Sequence, residues 1–319
     1  MKKFLMKKNL LMLLFFFFFC FDLPASFSGS DPVIVVLLSK ALKPYNDALS
    51  GFEEGIKKSG YKITVTYNLD EKKDNLTQLV SAIKTQDPGL VFAIGTEAAI
   101  FAKQNLTDLP VVFSMVLNPV KSGLVPSLAN PGNNLTGVSL DIPPDLQFQK
   151  LKEVLPKAVR IGVIYNAKEE EWIKSVREAA QKNGLSLVVK PVNAQTDVPG
   201  SLDEIVKDVD CLWAQVDPMI YNVQSSQYIL LNLLRSKIPM MAFSAQYVKA
   251  GALLGLECDY IDIGRQSADI ALSILKHGVS GSIALVFPQK VRLLINKKIA
   301  GVIGVDIPAQ ALDEAAQVY

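Results

Sequence analysis

Histidine is almost absent: of 319 residues only His277 is one. That scarcity excludes a metal site built on two imidazoles and leaves a Ser-His-Asp arrangement with a single candidate base. His277 precedes Gly278 at the end of an apolar-periodic stretch, where capping the carbonyl end of a helix is its natural role. Gly-x-Gly-x-x-Gly and the phosphate-loop lysine pattern are also missing, which removes the usual nucleotide signatures of an α/β chain. No cofactor, metal or catalytic residue is expected, and a secreted α/β enzyme is the disfavoured alternative.

Charge of one sign is lacking too. Thirty-three Lys and Arg face 31 Asp and Glu, a formal net charge of +2. Lys2, Lys3, Lys7 and Lys8 crowd the N-terminus, so the remainder is close to neutral or slightly acidic and nothing recruits nucleic acid. Cysteine is sparse. Cys211 and Cys258 sit in or beside apolar strand-like runs and read as buried free thiols rather than a disulfide.

A long apolar run occurs once, from Leu10 to Phe21 behind the four lysines. It is short of the ~20 residues that a spanning helix needs, and it has the layout of a secretory signal. Ser26 and Ser28, after Pro24, supply small residues for cleavage, so residues 1–28 are expected to be a signal peptide and the chain periplasmic. Cys20 follows Phe18 and Phe19 rather than the small residues a lipidated cysteine needs; a lipid anchor at Cys20 is the alternative. Processing leaves roughly 290 residues, enough for two lobes with a core each.

What the chain does have is an internal echo at long period. Val33 to Leu38 reads as a strand, Tyr45 to Lys58 as a helix ended by Gly60, and Ile63 to Tyr67 as a strand. The pattern returns as Ile161 to Tyr165, Glu169 to Lys182 ended by Gly184, and Leu185 to Val189. Leu76 to Lys84 then precedes the strand Leu90 to Ile94, and Leu202 to Val206 precedes the strand Cys211 to Val216. Each half closes on a proline-led strand, 110–114 and 239–244. Between the halves, Leu117 to Pro144 is punctuated by Pro, Gly and Asn and reads as turns, one short strand and an interlobe passage. Gly251 to Leu256, Ile263 to Leu275 and Val291 to Ile295 follow as strand, helix and strand. Alternating strands and helices imply parallel sheets with helices on both faces, so the expected fold is α/β with two Rossmann-like lobes.

Ligands of such sheets bind beyond the carboxyl ends of the strands. That rule nominates Ser39, Thr96, Ser114, Asn166, Asp217 and Ser244. Thr96 follows Gly95 at a helix start, where a hydroxyl and free amides together suit a carboxylate, although a plain N-cap explains it equally. Asp217, before Pro218, reads as a helix start or as a counter-charge for an ammonium group. Tyr45, Tyr221, Phe243 and Tyr260 lie near the same edge as candidate walls.

The stretches Gly95-Thr96-Glu97-Ala98-Ala99, Pro110 to Phe113 through Asn118-Pro119-Val120, Gly123-Leu124-Val125 and Asn130 to Ser139 resemble the ABC-transporter substrate-binding family that includes tryptophan and tyrosine binders. Ala250 to Leu253, Asp259-Tyr260 and Gly264 to Ala268 are similar to the same family, so the resemblance covers the chain beyond the signal. It implies a type I periplasmic-binding-protein fold whose lobes, joined by three crossings, close on a ligand. The expected division is 32–140 with about 245–275 in the first lobe and 141–244 with about 276–319 in the second. The resemblance places binding hydroxyls on Thr96 and Ser114. Asn118 stands where the family's Asp is expected before Pro-Val, and Glu97 where proline is common. The implied function is a monomeric solute-binding protein that captures an aromatic or branched amino acid for a membrane permease. A periplasmic sensing subunit that presents its closed form to a receptor is the alternative.

Overall fold

The computed structural model describes residues 32–278 and 281–319. The expected signal peptide and Cys20 lie outside the described residues. Among the described residues no helix is long and apolar enough to cross a membrane.

The first half runs β1 (Ile34–Leu38), α1 (Lys43–Lys58), β2 (Ile63–Asn68), α2 (Leu76–Thr85), β3 (Leu90–Ile94), α3 (Thr96–Asn105), β4 (Val111–Val116) and β5 (Leu135–Ser139). The second half runs α4 (Pro144–Val154), β6 (Arg160–Asn166), α5 (Glu170–Lys182), β7 (Ser186–Val192), α6 (Val198–Ile205), β8 (Cys211–Trp213), α7 (Val223–Ser236), β9 (Met240–Ala242), α8 (Ala245–Ala250) and β10 (Leu254–Cys258). The chain ends with α9 (Tyr260–His277), β11 (Val291–Ile295), α10 (Lys297–Ile303), α11 (Ala309–Glu314) and β12 (Gln317–Val318).

The two sheets repeat one topology. The first is β2-β1-β3-β4-β5, all parallel; the second is β7-β6-β8-β9-β10 in parallel, extended by β11 and β12. β11 runs antiparallel to β10, the one departure from a parallel order among the described residues. Buried parallel strands read as near-continuous apolar runs because helices cover both faces. Val35 and Leu37 of β1 pack towards Phe101 and Ala102, while Ile34 and Val36 pack towards Phe52 and Ile56. In the second sheet Ile161 and Val163 face Phe148 and Ile173, and Ile164 faces Leu202 and Ile229. Gly60 and Gly184 follow the ends of α1 and α5 at φ of 86° and 68°, the left-handed backbone that stops a helix.

Several expectations need correction. The segment 245–258, assigned to the first lobe from sequence, belongs to the second sheet: β10 pairs with β9 and is the fifth strand of the echo. Return to the first lobe begins at α9, which lies along α1. No helix begins at Pro218; α7 starts at Val223, with the Asn222 side chain accepting from the Gln224 and Ser225 N–H groups. The strand read as Cys211 to Val216 stops at Trp213. α4 grows out of the end of the proline-punctuated passage, with Pro143 as its N-cap and Pro144 as its first residue, and continues to Val154 where no helix is expected.

Three strands of chain join the lobes: the exit from β5 into α4, the step from β10 to α9, and the return from α9 to β11. They are stitched together. The Ser139 N–H donates to the Val286 carbonyl at 2.9 Å, the Asp259 N–H to the Lys290 carbonyl at 3.1 Å, and the Cys258 thiol to the Leu140 carbonyl at 3.4 Å. Both Cys211 and Cys258 are free and buried, and burial pushes each thiol up to about 12.

Candidate functional site

A cavity of about 610 Å³ opens between the sheets at the hinge, within the size range of small-molecule sites. The first lobe supplies the end of β4 and its loop (Leu117, Asn118, Lys121), the crossings supply Leu140 to Asp145, Cys258 and Tyr260, and the second lobe supplies the carboxyl ends of β6, β8 and β9. Its walls carry six aromatic side chains, Tyr165, Trp172, Tyr221, Phe243, Tyr260 and Phe287. Tyr221 and Phe243 meet edge to face at 5.7 Å, and Trp172 stacks on the buried Trp213 at 5.9 Å. Gln147 fixes that platform, accepting from the Trp213 Nε1–H at 2.8 Å and donating to the Ile142 carbonyl at 2.7 Å.

Apolar surface is left uncovered in this cleft. Leu117, Val216 and Phe287 are 39%, 50% and 36% exposed, and all three line it. Contiguous exposed apolar surface ringed by polar groups marks a binding site.

Asn118, Asn166, Asp217, Tyr221, Ser244 and Tyr260 of the sequence-nominated residues line the cavity. Their polar atoms are not equally free. Asn166 Oδ1 accepts from the Lys168 N–H at 3.1 Å, and Asp217 Oδ1 accepts from the Met219 N–H at 2.8 Å, both short local turns. Ser244 stands before α8 without a side-chain capping bond. Burial pushes the Tyr260 phenol up to about 12.

Ser39, Thr96 and Ser114 do not line the cavity; they gather at the carboxyl edge of the first sheet. Ser39 Oγ accepts from the Ala98 N–H at 2.9 Å, capping α3 from another strand. Gly95 rather than Thr96 is the N-cap of α3, and its φ of 94° with Ser39 Oγ 2.5 Å from an imagined Cβ requires glycine there. Thr96 is thus not a plain N-cap. Ser114 Oγ is fully buried and has no hydrogen-bond partner among the described residues. Tyr45 packs at this edge, its phenol raised first by burial and then by Glu97.

Asp141 went unnoticed in the sequence. A carboxylate two residues past a strand-ending Ser139 and just before Pro143-Pro144 is the signal that finds it. Its Oδ2 accepts from the Ser139 hydroxyl at 2.6 Å and from the Asn118 N–H at 2.8 Å. Burial pushes the carboxyl up, against the pull of those two donors. Trp172, Tyr165 and Phe287 were also missed, since an aromatic in an amphipathic helix, an apolar strand or a connecting loop looks like ordinary packing.

The charges of the cleft are lopsided. Five carboxylates line it and, among the described residues, one cation, Lys121. Asp145 is paired with Lys182 at 2.8 Å, Glu257 with Arg292 at 3.5 Å, and Glu169 with Lys121 across the two lobes. Among the described residues Asp141 and Asp217 have no cationic partner. Among the described residues no group of His, Cys, Asp and Glu is arranged to hold a metal ion.

Two α/β lobes of matching topology, three crossings and an aromatic-walled cleft at the hinge define a solute-binding protein of the type I periplasmic-binding-protein fold. The chain belongs to the ABC transporter substrate binding protein family, whose model matches residues 33–319. That family is one of binding proteins, not enzymes. A tyrosine-binding protein of Clostridioides difficile (strain R20291) is 29% identical over 258 residues, 78% of this chain and 74% of that protein. Among solved structures, an ABC domain from Streptococcus pneumonia in complex with L-Trp is 24% identical with a TM-score of 0.59, covering 91% of this chain and 100% of that one. A ligand-free, open substrate-binding protein with adhesive properties from Clostridium difficile is 24% identical with a TM-score of 0.72, covering 90% and 99%.

Proposed function

We propose that this protein captures an aromatic amino acid between its lobes and delivers it to an ABC importer. The observation that carries the reading is the cleft itself, whose six aromatic side chains and three exposed apolar residues await a planar, apolar partner. Burying an aromatic side chain there supplies the affinity, and the few polar groups set its orientation. The tyrosine-binding and L-Trp-bound relatives support the ligand class. The higher TM-score with the ligand-free, open relative, 0.72 against 0.59 for the L-Trp-bound one, supports reading this cleft as open.

In the closed form the first-lobe edge swings towards the cavity. Thr96 Oγ1, the Ser114 hydroxyl and the amides of the first turn of α3 then receive the ligand carboxylate, and a cleft carboxylate receives its ammonium. Asn118, Asn166, Tyr221, Ser244 and Tyr260 shape the remaining wall, while Ser39 holds α3 in place. The lobes divide between 32–139 with α9 and 143–258 with 287–319. The basic-then-apolar N-terminus exports the chain, which works as a monomer outside the cytoplasmic membrane with a permease as its partner.

Calorimetry against the amino acids, with sugars and nucleosides as controls, tests this. One saturable site for tyrosine, tryptophan or phenylalanine is expected. Binding of a sugar or nucleoside with no response to any amino acid overturns the ligand class.

A further inference from the structure

We propose that Asp141, at the first crossing between the lobes, is the specificity-determining carboxylate that receives the ligand's ammonium group, and that Asp217 serves as a turn-forming residue. This rests on the reading of the cleft as an amino-acid site.

The two carboxylates without a cation are held differently. Asp217 closes a local turn by accepting the Met219 N–H, while its carbonyl accepts from the Tyr221 N–H at 2.8 Å. Its fixed oxygen serves the loop that carries it, as capping aspartates do. Asp141 is fixed by one donor from its own turn and one from a distant segment. Ser139, fully buried, donates its hydroxyl, and Asn118, 23 residues earlier in the chain, donates its N–H. Both bonds fall on Oδ2, and Oδ1 has no donor among the described residues although Asp141 lines the cavity. One oxygen is anchored and the other is presented.

The backbone that aims Asn118 at Asp141 is itself unusual. The β4–β5 register slips between Phe113 and Val116, and both Met115 and Asn118 have left-handed backbones, with φ of 59° and 47°. A bulge followed by two left-handed residues three positions apart is a device that re-aims groups next to functional sites. Here their product is the N–H bond to Asp141. A carboxylate partly withdrawn from water and without a counter-ion is costly in the empty protein, and interacts strongly with an ammonium group brought to it.

The test uses the full chain with L-tyrosine and L-tryptophan beside their analogues lacking the amino group, 3-(4-hydroxyphenyl)propionate and indole-3-propionate. The wild type is expected to prefer the amino acids. Asp141→Asn keeps an oxygen for the Ser139 and Asn118 donors, and is expected to erase that preference by weakening the amino acids roughly thirtyfold or more. Asp217→Asn keeps the preference. The empty Asp141→Asn protein is expected to melt no lower than wild type, and Asp141→Ser serves as a second variant with the same expected loss of preference. Unchanged preference in both Asp141 variants, or its loss in Asp217→Asn alone, overturns the assignment while leaving the amino-acid site intact. Failure of the wild type to bind any aromatic amino acid overturns the reading of the function and this assignment with it.

Discussion

Gly264 on α9 presses so closely on Ala48 of α1 that a Cβ at Gly264 would stand 2.0 Å from the Ala48 carbonyl oxygen. A Cβ at Gly51 would stand equally close to the Ile261 carbonyl oxygen, and one at Gly55 would meet the Ala268 methyl. The pair of helices covering one face of the first sheet is therefore set by small residues. Gly264→Ala forces a backbone apart, and is expected to cost about 1–3 kcal/mol or more, read as a lower urea midpoint. Because α9 follows directly from the second crossing, the same variant is expected to alter ligand affinity as well.

A second tie between these helices is ionic and gives a pH signature. Glu54 on α1 accepts from Lys58 at 2.8 Å and from the Arg265 guanidinium at 2.7 and 2.9 Å. The Lys58 hydrogen bond first, then that of Arg265, holds its carboxyl down to about 2 from 4.5. A depressed carboxylate contributes stability that is present above its unfolded value and lost as pH falls through its folded one. The stability gap between wild type and Glu54→Gln should therefore be constant above about pH 5, shrink between 4.5 and about 2, and vanish below. The gap is small throughout, since the side chain is 41% exposed and solvent screens the pair. Urea midpoints across a pH series read it.

Trp172 and Trp213 are the two tryptophans of the chain and stack on each other, the first lining the cleft and the second buried behind it. Intrinsic fluorescence should therefore report ligand directly. Trp172→Phe is expected to remove most of the response while retaining binding. Trp172→Ala is expected to weaken aromatic amino acids by about tenfold, the scale of one aromatic contact. Unchanged affinity would take Trp172 out of the ligand's wall.

Ser39 separates a structural hydroxyl from a binding one. Removing its Oγ strands the Ala98 N–H in the first turn of α3, and Ser39→Ala should cost about 1–3 kcal/mol of stability. Ligand affinity is expected to hold in the refolded, ligand-saturated protein. A fall in affinity with unchanged stability would instead place Ser39 against the ligand.

The sequence disclosed the architecture because the echo is written in apolar runs. β3 and β11 fall exactly on the runs Leu90–Ile94 and Val291–Ile295, and α1 and α5 end before the glycines that stop them. What stayed hidden depends on contacts between distant segments. β10 looks like any apolar run, and its membership of the second sheet comes from pairing with β9 and β11. Asp141 sits in a proline-rich passage, and its partner Asn118 acts through a backbone N–H that no residue type advertises. Strand ends nominated Thr96 and Ser114 as readily as Asp217 and Ser244, because the rule places residues at a sheet edge; of these four, the structure puts only the last two in the cleft.

Small-angle scattering of the full chain, with and without saturating aromatic amino acid, decides whether the lobes close on a ligand. A smaller radius of gyration is expected with L-tyrosine or L-tryptophan, as hinged lobes close over the cavity, and no change with a sugar. Identical scattering profiles in the presence and absence of an amino acid that calorimetry shows to be bound would contradict capture by closure.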